Sequence, residues 1–342
     1  MFKINQSPVL TSNNYGVNYF DIDKDVVDVK VGLFDNFTIH NDKNIKVSQL
    51  INIPDNNMGS VIDKQSKTQS NFNKVIDIIQ SNTVPLVLEF NVDVLVDNYI
   101  INVEKDVHAD IIIKYVSTSK SYHNTNVVLN VKSYGYVNLN ILESVALDST
   151  SLLSIKTNIE DNGKVIANIF DFGCDNDAHN IVVNCLGYKS AVDINSVYFG
   201  SNHNRLGINY LINCFGRECD ANMNVVGVLN NNAFKNFVGT IDFKNGCIKS
   251  KGNENEYCIL LSNNAVEKST PILLCTEEDV FGSHSSSVGR VEPQQLFYIM
   301  SRGIEYKDAV KLLVKAELNK LTSCVKDDDL KNTIDVLIDE RL

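Results

Sequence analysis

Between Pro85 and Cys275 apolar residues alternate with polar ones in segment after segment, and no apolar stripe of helical period interrupts them. In TNVVLNV the alternating positions are Val127, Leu129 and Val131, and in YVNLNIL they are Val137, Leu139 and Ile141. The pattern returns in LLSIKTN, KVIANIF, NIVVNCL, AVDINSVYF, GINYLINC and NFVGTIDF. So many short strands at so regular a spacing fit a sandwich, a barrel or a β-solenoid. A sandwich wants two-residue hairpin loops that set register, and its strongest signals, Asn-Gly and Asp-Gly, are few here. A solenoid wants a corner every few residues and a repeat of about 20 residues or more, so two strand segments of about ten residues would make one coil. The connections are rich in Asn and Gly, as at Asn230–Asn232 and Asn263–Asn264, residue types that tolerate the left-handed backbone of sharp corners. No crisp repeat motif accompanies the rhythm, which leaves the three architectures open.

The flanks read differently. In residues 1–84, a mixed strand and short-helix region, VVDVKVGLF predicts a strand and NFNKVIDIIQ (71–80) a short amphipathic helix. The polar stretch 54–71, PDNNMGSVIDKQSKTQSN, predicts a loop. Beyond the β core of residues 85–291, residues 292–342 predict a small helical subdomain. Pro293 suits the first position of a helix, whose apolar face is Leu296, Phe297, Ile299 and Met300, with Gly303 as its C-terminal cap. A second helix from about Tyr306 aligns Ala309, Leu312, Leu313 and Ala316, and a third carries Leu330, Ile334, Leu337 and Ile338. Such a module can close the end of a β stack or dock a partner.

Composition excludes several classes. The 342 residues are 44% hydrophobic and 21% charged, as in a globular protein with a sizeable core. A net charge of −11 argues against coating nucleic acid or anionic membrane. No stretch approaches a membrane span of about 20 apolar residues, and MFKINQSPVL does not read as a signal peptide, so a cytoplasmic location is expected. The eight cysteines are then expected as reduced, mostly buried thiols, and the spacing of Cys214 and Cys219 has no partner pair to make a zinc site. The phosphate-cradling GxxxxGK[ST] is absent, so any ATPase activity belongs to another chain.

The stretch EEDVFGSHSSSVGRVEPQQLFYIMSRGIEYKDAVKLLVKAEL (277–318) resembles the C-terminal motif of the SufB/SufD family of iron–sulfur cluster assembly proteins. The matching residues are Glu278 with Asp279, Ser283-His284, Ser287-Val288-Gly289, Leu296-Phe297-Tyr298 and Ser301-Arg302-Gly303. NVVGVLNNNAFKNFVGTIDF (224–243), ILLSNNA (259–265) and the strand at Pro271 extend the resemblance over about residues 85–320. It implies a mainly β fold, a right-handed parallel β-helix with a small C-terminal α-helical subdomain. It further implies a scaffold subunit that pairs with a SufB-type protein and carries the SufC ATPase on its helices, without catalytic residues of its own. The alternative within the family is a self-sufficient homodimer that holds the nascent cluster with SufC only.

The resemblance is closer to the D type. Glu256, in NENEYCILLS, stands where B-type proteins place a cluster-building cysteine, and Gly282 stands where many D-type proteins have a cysteine. The chain is therefore expected to bind no cofactor firmly by itself, and a nascent cluster is expected at the subunit interface. His284 is the candidate cluster-site residue, since a neutral imidazole ligates iron. Cys258 shares a strand face with Glu256 and offers thiolate chemistry, although a buried thiol is the commoner reading. Glu256 offers hard oxygen, although a solvated carboxylate is the safer reading. Cys275 reads as a packing residue. Phe297, Tyr298, Arg302 and Gly303 mark the implied SufC-docking region, Arg and Tyr being favoured at binding hot spots. A carbohydrate lyase built on a β-helix would want paired catalytic residues and a charged groove, and neither is visible.

Overall fold

The alternating segments stack in parallel instead of folding back as hairpins. In the computed structural model, which describes residues 1–11, 13–34 and 44–342, they form two facing sheets. The nine-stranded sheet runs Val266–Cys275, Phe234–Phe243, Arg205–Cys214, Asn176–Cys185, Thr150–Ile159, Tyr122–Val131, Val94–Val103, Phe72–Ile78, Ile45–Gln49. The eight-stranded sheet runs Phe281–Gly289, Lys251–Leu260, Asp220–Leu229, Ala191–Gly200, Lys164–Asp171, Tyr136–Ser144, His108–Val116, Leu86–Phe90. From Phe72 onward the chain visits the two sheets alternately, and its pairings are parallel. Only Ile45–Gln49 against Phe72–Ile78 is antiparallel in these sheets. Of the three open architectures the β-solenoid is the one adopted, with about eight turns.

Every second side chain of a strand faces the space between the sheets, and parallel register stacks like on like. Val127 lies between Tyr99 and Ile155, and Val131 between Val103 and Ile159. Each of these is buried, and burying a Val or Ile side chain contributes about 1.5–3 kcal/mol. The opposite parity carries amide ladders. Asn130 donates to Asn102 at 2.9 Å, Asn158 to Asn130 at 2.9 Å, Asn184 to Asn158 at 2.9 Å and Asn213 to Asn184 at 3.0 Å. On the other sheet Asn168, Asn195, Asn224 and Asn255 each donate to the asparagine of the preceding coil. A ladder of this kind satisfies half-buried amides and penalises any slip of register.

One corner of each coil has a residue in the left-handed region: Asp106, Tyr134, Asn162, Lys189, Glu218 and Lys249, with φ from 54° to 63°. Their backbone N–H groups donate to the carbonyls of Ser133, Asp161, Tyr188, Arg217, Ile248 and Asp279 on the following coil. Stacking holds Tyr, Lys and Glu in a conformation that Gly or Asn would adopt more cheaply, so no residue type advertises the repeat.

The N-terminal region covers the outer face of the nine-stranded sheet. Phe2–Ile4 pairs antiparallel with Phe20–Ile22, followed by the single-turn helix α1 (Lys24–Val27) and by α2 (Ser60–Thr68). Ile4, Phe20, Ile22, Met58 and Ile62 pack there on Val96, Tyr122, Leu152 and Ala178. Three expectations fail here. VVDVKVGLF is not a strand: Lys24–Val27 is helical and residues 28–34 join no strand among the described residues, while Val26, Val27, Val29 and Val31 serve as apolar contacts on the sheet. The predicted loop at 54–71 contains α2, whose buried face includes the polar Gln65 and Ser66; Tyr122 donates to Gln65 at 2.7 Å. The helix predicted at 71–80 is the strand Phe72–Ile78, because Ile76 and Ile78 stack on Ile101 and Val103. The sheet therefore begins upstream of residue 85.

Three helices end the chain, α3 (Pro293–Met300), α4 (Tyr306–Thr322) and α5 (Asp328–Arg341). They do not close the stack. Val314, Leu318, Leu330, Ile334 and Ile338 pack on Ile112, Leu142, Phe170, Phe172, Val197 and Phe199, the outer face of the eight-stranded sheet. The buried face of α4 is Ala309, Val314, Leu318 and Thr322, rotated from the expected one, and Leu312 is exposed. The end of the solenoid, formed by Val266–Cys275 and Phe281–Gly289, is left without a covering element among the described residues.

Candidate functional site

The last coil is where the sequence motif meets the open end. His284 lies on Phe281–Gly289, the terminal strand of its sheet, and is exposed. Its register partner is Glu254, while Ser286 stacks on Glu256 and Val288 on Cys258. Positions 254, 256 and 258 share the buried parity of their strand, so Glu254, Glu256 and Cys258 point into the solenoid beneath the coil that carries His284. Among the described residues no further coil lies above the terminal strand itself. Its interior-facing residues therefore meet solvent.

Glu256 is not the solvated carboxylate that the sequence suggests. It is buried and receives Lys235 Nζ at 2.5 Å, Tyr198 Oη at 3.3 Å and Ser286 Oγ at 2.8 Å. Lys235 is fully buried as well, pairs with Glu267 at 3.0 Å, and lies over the rings of Tyr198 and Phe237. Two carboxylates and two aromatic faces thus compensate one desolvated ammonium. Glu254 has no such partner. Burial first, then the charge of Glu256, pushes its carboxyl up to about 8, so it stands neutral at physiological pH. It occupies room that only glycine leaves: a Cβ on Gly239 would lie 2.0 Å from Glu254 Oε1.

Cys258 is a core thiol. Burial raises it to about 11 despite the Lys235 ammonium, which keeps it protonated and a poor ligand. Six of the eight cysteines are buried, but Cys275 is exposed, against expectation, because it ends the outermost strand and nothing packs over it. Of the three candidate ligands His284 alone is open to a partner. Glu256 is engaged by a cation, and Cys258 is sealed beneath the coil. Reasoning from residue types missed Lys235, Glu254, Glu267 and Tyr198. Their signal was parity, since Glu254 and Glu256 alternate in phase with Cys258 and Leu260.

Beside this end stands α3, in which no residue is buried. Phe297 is 74% exposed and Tyr298 59%, with Met300 and Tyr306 also exposed nearby. Phe297 is thus a surface residue and not part of the core. The Arg302 guanidinium lies 5.0 Å from the centre of the Tyr298 ring and donates to its hydroxyl at 2.9 Å. Gly303 takes φ 88°, a left-handed turn that reverses the chain into α4. A groove lined by Leu261, Arg290, Leu296, Tyr306 and Val310 separates α3 from the solenoid. Large exposed aromatic residues grouped with Arg on one helix are the composition of an interaction surface.

No helix among the described residues is long and apolar enough to cross a membrane. The chain is similar to "Iron-sulfur cluster assembly protein SufD" of Bacillus subtilis, 36% identical over 100 residues that cover 29% of this chain and 23% of that protein. It is also similar to the Escherichia coli protein of the same name, 33% identical over 106 residues, 31% of this chain and 25% of the relative. A SufBD family protein of Pyrococcus horikoshii is 34% identical over 67 residues, 20% of this chain and 15% of its own length. The chain thus spans at most a quarter of the length of these relatives. The family model described as "SUF system FeS cluster assembly, SufBD core domain" matches residues 88–317, more than half of the chain and nearly all of the solenoid with α3 and most of α4. On that match and on the parallel solenoid that carries it, the chain belongs to the SufB/SufD family, on the side of its SufD members.

Proposed function

We propose that this chain is a non-catalytic scaffold subunit of SUF iron–sulfur cluster assembly, a cytoplasmic protein that pairs with a SufB-type protein and docks the SufC ATPase. The observation that carries the reading is the open last coil, whose terminal strand is exposed, lacks a neighbour on its outer edge among the described residues, and bears His284. An uncovered strand edge is a template for another chain, and here it ends a parallel stack that a second solenoid can continue. The nascent cluster is then cargo held at that junction, with the His284 imidazole as this chain's contribution and the remaining ligands from the partner. SufC docks on α3, with Phe297 and Tyr298 as apolar anchors and Arg302, held by its contact with Tyr298, as the polar one. Gly303 sets the turn that presents them.

The test is anaerobic co-expression with SufC, with and without a SufB-type protein, and purification on this chain. Subunit ratio, iron content and visible absorption are read from the same samples. A chromophore that requires the SufB-type protein and weakens in His284→Ala supports the heterodimer. A chromophore formed with SufC alone replaces it with the homodimeric scaffold. Failure to retain SufC in either sample would overturn both.

A further inference from the structure

Deep in the middle coils, far in sequence from His284, four ionisable side chains converge. Glu143 and Asp171 occupy successive rungs of one interior row of the eight-stranded sheet, and Asp177 and His179 face them from the nine-stranded sheet. His179 is 1% exposed and the three carboxylates scarcely more. Its Nε2 lies 2.6 Å from Glu143 Oε2, 3.2 Å from Asp177 Oδ1 and 3.9 Å from Asp171 Oδ2. None of these four atoms completes a hydrogen bond of good geometry, although Nε2 and Glu143 Oε2 are within ion-pair distance. Among the described residues no lysine or arginine comes within ion-pair distance of the group.

The remaining polar atom of each side chain is held by the protein. Ser151 Oγ donates to Glu143 Oε1 at 2.7 Å, and the Gly173 N–H donates to Asp171 Oδ1 at 2.7 Å. The Cys174 thiol turns to Asp177 Oδ2 at 3.7 Å. His179 Nδ1 lies 3.5 Å from the Tyr210 hydroxyl, which is itself bonded to Ser196. With Nδ1 turned to Tyr210, Nε2 is the ring atom that faces the carboxylates. Outer atoms tied down and inner atoms aimed at one another are the arrangement of a metal-ligand set. Bonds of about 2.1 Å put neighbouring ligands roughly 3.0–3.4 Å apart, which the three separations bracket.

We propose that Glu143, Asp177 and His179 bind one divalent first-row transition cation inside the solenoid, with Asp171 as the fourth side chain of the site. One imidazole among oxygens suits zinc, manganese or ferrous iron and disfavours calcium or magnesium, and the Cys174 sulfur engages Asp177 on its far side. The ion is enclosed as the chain folds and ties the two sheets together. It is distinct from the cargo at the open end, and it does not depend on any partner.

The test is metal analysis of the full chain, expressed without partners in medium supplied with zinc, iron and manganese, then dialysed against a chelator. The expected result is about one equivalent of one of these metals in the wild type and in His284→Ala, and its loss in Glu143→Gln/Asp177→Asn. A metal-free wild type overturns the proposal, as does metal that persists in the double variant. Because that variant can fail to fold, X-ray absorption at the metal edge of the wild type supplies a second reading. Nitrogen and oxygen neighbours with an imidazole signature are expected, and sulfur neighbours would refute the assignment. Neither result touches the scaffold reading, whose test needs SufC.

Discussion

The two groups of charged side chains inside the solenoid are compensated in different ways. Beneath the open end, Lys235 supplies the positive charge that Glu256 and Glu267 need, and the neighbouring Glu254 is neutralised by its own proton. In the middle coils, among the described residues, three carboxylates share only His179, and one oxygen of each, with His179 Nε2, completes no hydrogen bond. A buried charge must be paired, protonated or bound to an ion. The coil beneath the open end uses the first two devices, and the middle coils are built for the third. A site enclosed on both sides can retain an ion, whereas the outermost coil keeps its imidazole free for a neighbour.

The comparison can be broken most directly at Lys235. Lys235→Met leaves the buried Glu256 and the half-buried Glu267 without a cation, and is expected to destabilise the chain by about 3–5 kcal/mol, read as a fall in the urea midpoint. Adding Glu256→Gln should restore part of that loss. An unchanged midpoint in Lys235→Met would mean that the ion pair does not hold this end together.

A smaller effect sharpens the rule for acids that have no cation. Asp97, nearer the other end of the stack, accepts from Thr125 at 2.7 Å, and burial pushes its carboxyl up to about 7. Its folded value lies above the ordinary aspartate value of 3.8, so the native state binds the proton more tightly than the unfolded chain does. The associated stability is complete below the unfolded value and is lost as pH rises through about 7. Asp97→Asn should flatten that slope and be more stable than the wild type above this range by about 2 kcal/mol, measured as urea midpoints across the pH series.

The smallest stability effects belong to the exposed residues. Phe297→Asp and His284→Ala should each change stability by less than about 0.5 kcal/mol, since neither side chain is buried. Their consequences should be separate ones, with Phe297→Asp losing SufC on purification and His284→Ala keeping SufC but losing the chromophore. A large fall in melting temperature for either would return that residue to a packing role.

The strand ladder and the break at Pro293 were legible because alternation and a proline-led helix are local signals. What was hidden depends on neighbours. Asp177 and His179 in NDAHNIVVNC share their parity with Ile181, Val183 and Cys185, yet nothing local says that a facing strand brings Glu143 to the same point. Helix α2 escaped notice because its buried side includes Gln65 and Ser66, which bond to the sheet through polar atoms. The phase of α4 is not legible locally, because which of its apolar residues are buried is set by the sheet that Val314 and Leu318 meet. Cys275 and Glu256 were misjudged in opposite directions for one reason, that burial in a stack depends on whether another coil follows.

The corner residues carry one more consequence. Asp106, Tyr134 and Asn162 recur at an interval of 28 residues, and each hands one backbone hydrogen bond to the coil after it. Every coil thus enters and leaves through the same joint. Excising one whole interval would rejoin two equivalent joints, whereas excising half of one would turn each later strand toward the wrong sheet. Length in such a protein can change in quanta, and the coil is the modular unit in which related chains can grow or shrink while the terminal coil and its histidine stay at the end.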